Sequence, residues 1–125
     1  ELCASAGIRQ RVAGFDYHAP LVEIARANHA RLFGDAGELT TAGAEDFAFD
    51  ALGPRLICFL YNPFGAATLR RMLGRLRGAE AILIYNNPAE DEAVRAAGFV
   101  PWRRREGGCP NARTYLYHRA AEGGN

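Results

Sequence analysis

Two hydrophobic periods alternate along the chain, and the places where one gives way to the other mark out its elements. Residues 56–61, Leu-Ile-Cys-Phe-Leu-Tyr, are apolar without a break, which predicts a parallel-sheet strand buried on both faces. The run ends at Asn62-Pro63-Phe64-Gly65, whose proline stops the ladder. Leu69, Met72, Leu73 and Leu76 then recur at helical spacing, predicting a helix over 68–77 with Arg70, Arg71, Arg75 and Arg77 on its solvated side. A second apolar run over 81–85 is another strand, closed by Asn86-Asn87-Pro88.

The same alternation holds upstream and downstream. Residues 11–16 form a short strand ending in Asp16, followed by a helix over 20–32. Leu21, Ile24, Ala25 and Leu32 make the inner stripe of that helix, and Glu23, Arg26 and Arg31 its outer side. Pro20 suits the first helical turn, where its missing N–H has no partner to lose. Residues 34–38 read as a turn, and 39–44 as a weak strand whose small side chains fit a sheet edge. A helix over 90–97 stops at Gly98, and strands over 99–104 and 114–119 flank a loop holding Gly107-Gly108 and Cys109-Pro110.

Successive strand-helix units predict an α/β fold with a doubly wound, mostly parallel sheet and a C-terminal antiparallel hairpin. One domain over 1–119 is expected, with a disordered tail over 120–125. Open sheets of this kind bind ligands beyond the carboxyl ends of their strands, which directs attention to Asp16 and to Asn62.

The order of these pieces resembles the class I S-adenosylmethionine-dependent methyltransferases, a Rossmann-like family, over residues 1–119. The carriers are Val-Ala-Gly-Phe-Asp over 12–16 with the helix behind it, Ala-Gly-Ala-Glu-Asp-Phe-Ala-Phe over 42–49, the strand end over 56–65, and Ala-Ala-Gly-Phe-Val over 96–100. The resemblance implies S-adenosyl-L-methionine as cofactor and methyl transfer as the activity. The family's first strand and Gly-rich loop are missing, and residues 1–6 read as the last turns of the helix that follows them, so an amino-terminally truncated domain is expected. In the family the missing strand lies between those ending here at Asp16 and Tyr61. These residues alone are therefore expected to be weakly stable and to bind cofactor poorly.

For the cofactor, the resemblance implies Asp16 as acceptor for both ribose hydroxyls, with loop acid or helix N-cap as the alternative role, and Tyr17 along the adenine face. Gly43, Ala44 and Glu45 follow the third family strand, where the adenine is contacted. The family often has Asp where Gly43 stands, so Ala44 is expected to act through its backbone and Glu45 or Asp46 to substitute. Asn62, Pro63 and Phe64 resemble a strand-end motif that holds a planar amino group and stacks a ring on it. That motif usually has a second proline, absent here, so a nucleobase acceptor does not follow. The methyl acceptor, small molecule or other, stays unidentified.

Composition narrows the setting. With 49% hydrophobic and 23% charged residues and a net charge of +1, the chain fits one globular domain, and neither nucleic acid nor membrane is indicated as a partner. The three cysteines are widely spaced without a metal-binding pattern, which suggests a reduced, cytoplasmic protein lacking a structural metal. Cys58, inside an apolar strand, reads as a small hydrophobe. His18, His29 and His118 are scattered, with His18 the best placed near Asp16. Arg103-Arg104-Arg105 is read as a charged sheet edge, since alternate arginines of a strand point opposite ways. Two other readings stay open: a nicotinamide-dependent Rossmann oxidoreductase, against which the closing hairpin argues, and a Rossmann-like domain without catalysis.

Overall fold

The computed structural model describes residues 11–61 and 64–123. The protein is a mixed α/β chain with three α-helices among the described residues and two sheets. It forms two compact units, Glu1–Phe47 and Ala48–Asn125.

In the first unit, strand β1 (Ala13–Asp16) leads into helix α1 (Ala19–Phe33) and strand β2 (Glu38–Thr41). The two strands pair in parallel from Ala13↔Glu38 to Asp16↔Thr41. Pro20 lies in the first turn of α1 as expected, and Gly34, at φ 86°, ends it by donating to the Ala30 carbonyl at 2.9 Å. Below that turn His29 Nδ1 lies 2.7 Å from the Asp35 carbonyl, while Asp35 Oδ1 accepts the Gly37 N–H at 2.8 Å. Gly37 has φ 66°, and a Cβ there would sit 3.1 Å from the His29 ring. His29 therefore fastens the turn that returns the chain to β2. At this same, amino-terminal end of the pair Arg11 donates through Nε to both Glu38 carboxylate oxygens, at 2.8 and 2.9 Å.

The helix does not turn the expected stripe inward. Leu21, Ile24 and Leu32 are exposed, Val22 is buried, and Ala25 and His29 are half-buried. These three share the helical spacing of one face, which a two-stranded sheet is wide enough to cover; the broader apolar stripe beside it is left out.

The second unit holds a four-stranded sheet in the order β3-β4-β6-β5, where β3 is Arg55–Tyr61, β4 Glu80–Asn86, β5 Val100–Arg105 and β6 Thr114–Arg119. β3 and β4 are parallel over seven rungs, and β6 runs antiparallel to both β4 and β5, so the expected closing hairpin is present. Helices α2 (Ala66–Arg75) and α3 (Asp91–Ala96) contact each other. Leu69, Met72, Leu73 and Leu76 are buried and Arg70, Arg71, Arg75 and Arg77 exposed, as the periodicity predicts.

Alternate residues of β4 and β6 build the core: Ala81, Leu83 and Tyr85 from one, Tyr115, Tyr117 and Arg119 from the other. The helices cover this face. Tyr117 donates its phenol to Asp91 Oδ1 at the start of α3, and the Glu90 N–H lies 3.4 Å from the Tyr85 hydroxyl. Arg119 donates to the Ala97 carbonyl at 2.9 Å and to the Leu73 carbonyl at 3.3 Å, capping the carboxyl ends of both helices, and its guanidinium lies 4.4 Å from the Phe99 ring centre.

Two sequence expectations change here. The strands do not share one doubly wound sheet; among the described residues β1 pairs only with β2, and β3 only with β4 on one side, so each has a free edge. Nor is β3 buried on both faces. Leu60 is buried, but Ile57, Phe59 and Tyr61 are exposed, because this strand lies at a sheet edge and the helices cover only the opposite face. Near the carboxyl end the Glu122 N–H donates to the Arg77 carbonyl at 2.8 Å.

Candidate functional site

The carboxyl end of the β1–β2 pair gathers the cofactor residues expected from the sequence. Asp16 is the last residue of β1 and pairs with Thr41, the last of β2. One further bond, from the Ala42 N–H to the Asp16 carbonyl at 3.0 Å, carries the ladder past the end of β2. Gly43, Ala44 and Glu45 thus leave the sheet directly beside Asp16, although 27 residues separate Asp16 from Gly43 in sequence. That juxtaposition follows from parallel pairing, which brings strand ends of the same polarity together.

Asp16 is half-buried, and its Oδ1 accepts the His18 N–H at 2.7 Å. This short turn fixes the carboxylate over the start of α1, where His18 occupies the cap position. Among the described residues nothing else bonds the carboxylate, and Oδ2 is available to a ligand. Tyr17 is 78% exposed, so one aromatic ring stands open next to the acid, with the His18 ring 6.5 Å from it edge-on.

Beyond β2 the chain folds into a tight turn in which the Gly43 carbonyl accepts the N–H groups of Asp46 at 3.0 Å and Phe47 at 3.1 Å. Ala44 is buried, leaving its backbone as its means of contact with a ligand. Phe47 stacks on Phe15 of β1 with ring centres 4.5 Å apart and planes inclined by 22°, which fixes the turn to the strand. Of the two acids, Glu45 is half-buried and already engaged within the protein. Asp46 is exposed, and its Oδ2 stands 3.6 Å from the position a Gly43 Cβ would take. Asp46 therefore presents a carboxylate beside Gly43.

The residues expected to meet an acceptor are described only in part. Asn62 and Pro63 lie outside the described residues, and Phe64 is half-buried in the bend before α2. On the neighbouring strand Asn86 ends β4, and Asn87 has φ 52°, a left-handed conformation rare outside glycine. Burial pushes the Cys58 thiol up from 9.0 to about 11, which removes it as a nucleophile at neutral pH. His118 Nε2 lies 3.2 Å from Glu80 Oε1 at the amino-terminal end of β4, away from the strand ends that carry Tyr61 and Asn86. Among the described residues no group of three or more His, Cys, Asp and Glu side chains could hold a metal ion, and no helix is long and apolar enough to cross a membrane.

Two contributors escaped the sequence reading, the His18 backbone N–H that orients Asp16 and the Ala42 N–H that joins the two strand ends. The signal for the first was present in Asp16-Tyr17-His18-Ala19-Pro20, an acid two residues ahead of a helix start. Comparison of the chain with known proteins finds no family model that matches it and no curated protein similar to it.

Proposed function

We propose that this chain carries the adenosine-binding part of an S-adenosylmethionine-dependent methyltransferase with a Rossmann-like fold. The observation that supports the reading is the carboxyl end of the β1–β2 pair. There the Asp16 carboxylate, the exposed Tyr17 that follows it and the acid-bearing turn after β2 lie at two adjacent strand ends. Asp16 accepts the ribose hydroxyls, since an ionised carboxylate can take two donors at once. Tyr17 lies along the adenine face, Gly43 and Ala44 offer backbone groups to its edge, and of the alternatives Glu45 and Asp46 the exposed Asp46 supplies the acid that meets its amino group. The sheet order β3-β4-β6-β5, parallel and then antiparallel, adds support by matching the ending expected of the family.

The cofactor supplies an electrophilic methyl carbon on a sulfonium sulfur, open to in-line attack by an acceptor lone pair. The chain's task is then to hold both partners near attack distance and to keep water out, which needs no catalytic triad. In this reading Asn62 and Pro63 accept hydrogen bonds from the acceptor, and Phe64 packs against it.

Calorimetry tests the assignment. S-adenosylhomocysteine is expected to bind weakly to the chain, and Asp16→Asn to lower that affinity by about tenfold, the order expected for loss of a charged hydrogen-bond acceptor. Binding of a nicotinamide dinucleotide in place of S-adenosylhomocysteine, or an Asp16→Asn variant that binds like the parent, overturns it.

A further inference from the structure

Among the described residues three buried side-chain polar atoms have no hydrogen-bond partner: Asn86 Oδ1, Arg113 Nε and Arg119 Nε. Folded interiors leave few such atoms, and each has a cause. The Arg119 guanidinium bonds two carbonyls through its other nitrogens, so its Nε is one loose end of an engaged group. Asn86 and Arg113 have no such outlet: among the described residues neither side chain takes part in a hydrogen bond or ion pair.

The two residues are neighbours across the β4–β6 ladder. Asn86, the last residue of β4, pairs with Thr114, the first of β6, and Arg113 stands just ahead of Thr114. The Asn87 N–H donates to the Arg113 carbonyl at 2.9 Å, which holds the two segments together beyond the last rung. Adjacent strands lie about 4.8 Å apart, so one small molecule lying across the strand end spans both residues. Asn87 keeps its left-handed φ of 52° directly before Pro88, a costly backbone of the kind that gathers at ligand sites. This is also the carboxyl end of a strand in a parallel pair, where open α/β sheets bind their ligands.

The chemistry of the two atoms selects the ligand. Arginine Nε is a donor within a permanent positive charge and takes an anion, whereas Asn86 Oδ1 is an acceptor and takes a hydroxyl or an N–H. An acceptor oxygen repels a bare anion, so the anionic group and the donor are different parts of one molecule. The planar guanidinium matches a carboxylate, whose single negative charge it balances. We propose that the carboxyl end of β4 binds a small 2-hydroxy or 2-amino carboxylic acid, the carboxylate on Arg113 and the hydroxyl or amine on Asn86 Oδ1. The site lies in the second unit and does not rest on the adenosine reading, whose residues belong to the first.

Proton–nitrogen NMR of the isotope-labelled chain tests this at the Asn86 side-chain amide and the Arg113 Nε–H. Sodium glycolate and glycine serve as probes at constant ionic strength, and whichever binds more tightly identifies the donor. Saturable shifts of both signals are expected in the millimolar range, the limit for ligands of so few atoms. Sodium acetate, which lacks the donor, and ethylene glycol, which lacks the charge, are expected to bind about fivefold more weakly or worse. Asn86→Leu and Arg113→Met are each expected to weaken binding about tenfold. Both variants should unfold at urea concentrations no lower than the parent, because each removes a buried polar atom that the fold leaves unpaired. No saturable shift with either probe overturns the proposal, as does acetate or inorganic phosphate binding as tightly as the better probe. So does a variant that binds like the parent, or one that unfolds at a lower urea concentration, which would assign its side chain to the fold.

Discussion

Arg119 is the residue on which the second unit most depends. It is 6% exposed, and its guanidinium satisfies helix-end carbonyls at Leu73 and Ala97 while lying over Phe99. Burial lowers its pKa, yet arginine holds its proton far above neutrality, so the group stays charged there. Replacing it removes the side-chain donor to the Ala97 carbonyl and leaves the Leu73 carbonyl with the Leu76 N–H at 3.2 Å. Arg119→Met is expected to cost roughly 2–3 kcal/mol of unfolding free energy, the scale of losing hydrogen bonds to a buried charged group. Urea denaturation checks this, and a loss under about 0.5 kcal/mol would mean that the packing of Met repays what the guanidinium supplied.

Two other buried groups make stability depend on alkaline pH. Burial holds Cys58 at about 11, and burial, followed by the hydrogen bond and charge of Asp91, holds the Tyr117 phenol above the ordinary tyrosine range. Both bind their protons more tightly folded than unfolded. Their contribution is therefore complete below the unfolded values and is lost as pH rises, for Cys58 from 9.0 to about 11. Unfolding free energy is expected to fall across that window by up to about 1.4 kcal/mol per pH unit for Cys58, with Tyr117 adding its share only above the ordinary tyrosine value of 10.0. Cys58→Val should remove the Cys58 part; a flat profile for the parent chain would contradict the burial argument.

At the scale of elements, sequence patterning located the described strands and α-helices to within about two residues because each carries its own period and its own stop, except that β2 stops at Thr41 rather than at residue 44. The start of α2 at Ala66 shows the residual error: the helix begins two residues before the expected start at residue 68, because its first large apolar side chain is Leu69. What an element faces was harder to read. The apolar run of β3 looks the same whether both faces are covered or one, and coverage depends on helices contributed by other parts of the chain. Likewise α1 offers two adjoining apolar stripes, and the width of β1–β2 selects the one containing Val22. Arg119 gave no signal at all, since an arginine ending a strand reads as exposed until the helix ends it caps are in place. Of the candidate site, Asp16 and the turn after β2 were legible as strand ends, whereas their meeting through Ala42 is a product of parallel pairing.

At the scale of the molecule, the described strands fall into a parallel pair and a mixed four-stranded sheet, and β1 and β3 each offer one free edge. The account rests on the carboxyl end of the smaller sheet being an adenosine site. Backbone amide NMR of the chain titrated with S-adenosylhomocysteine tests that claim most directly, because it detects weak binding and assigns it to residues. The expected result is a saturable set of shifts clustered at Asp16, Tyr17 and His18 and at Gly43, Ala44, Glu45 and Asp46. Shifts confined to other parts of the chain, or none up to millimolar ligand, would contradict it.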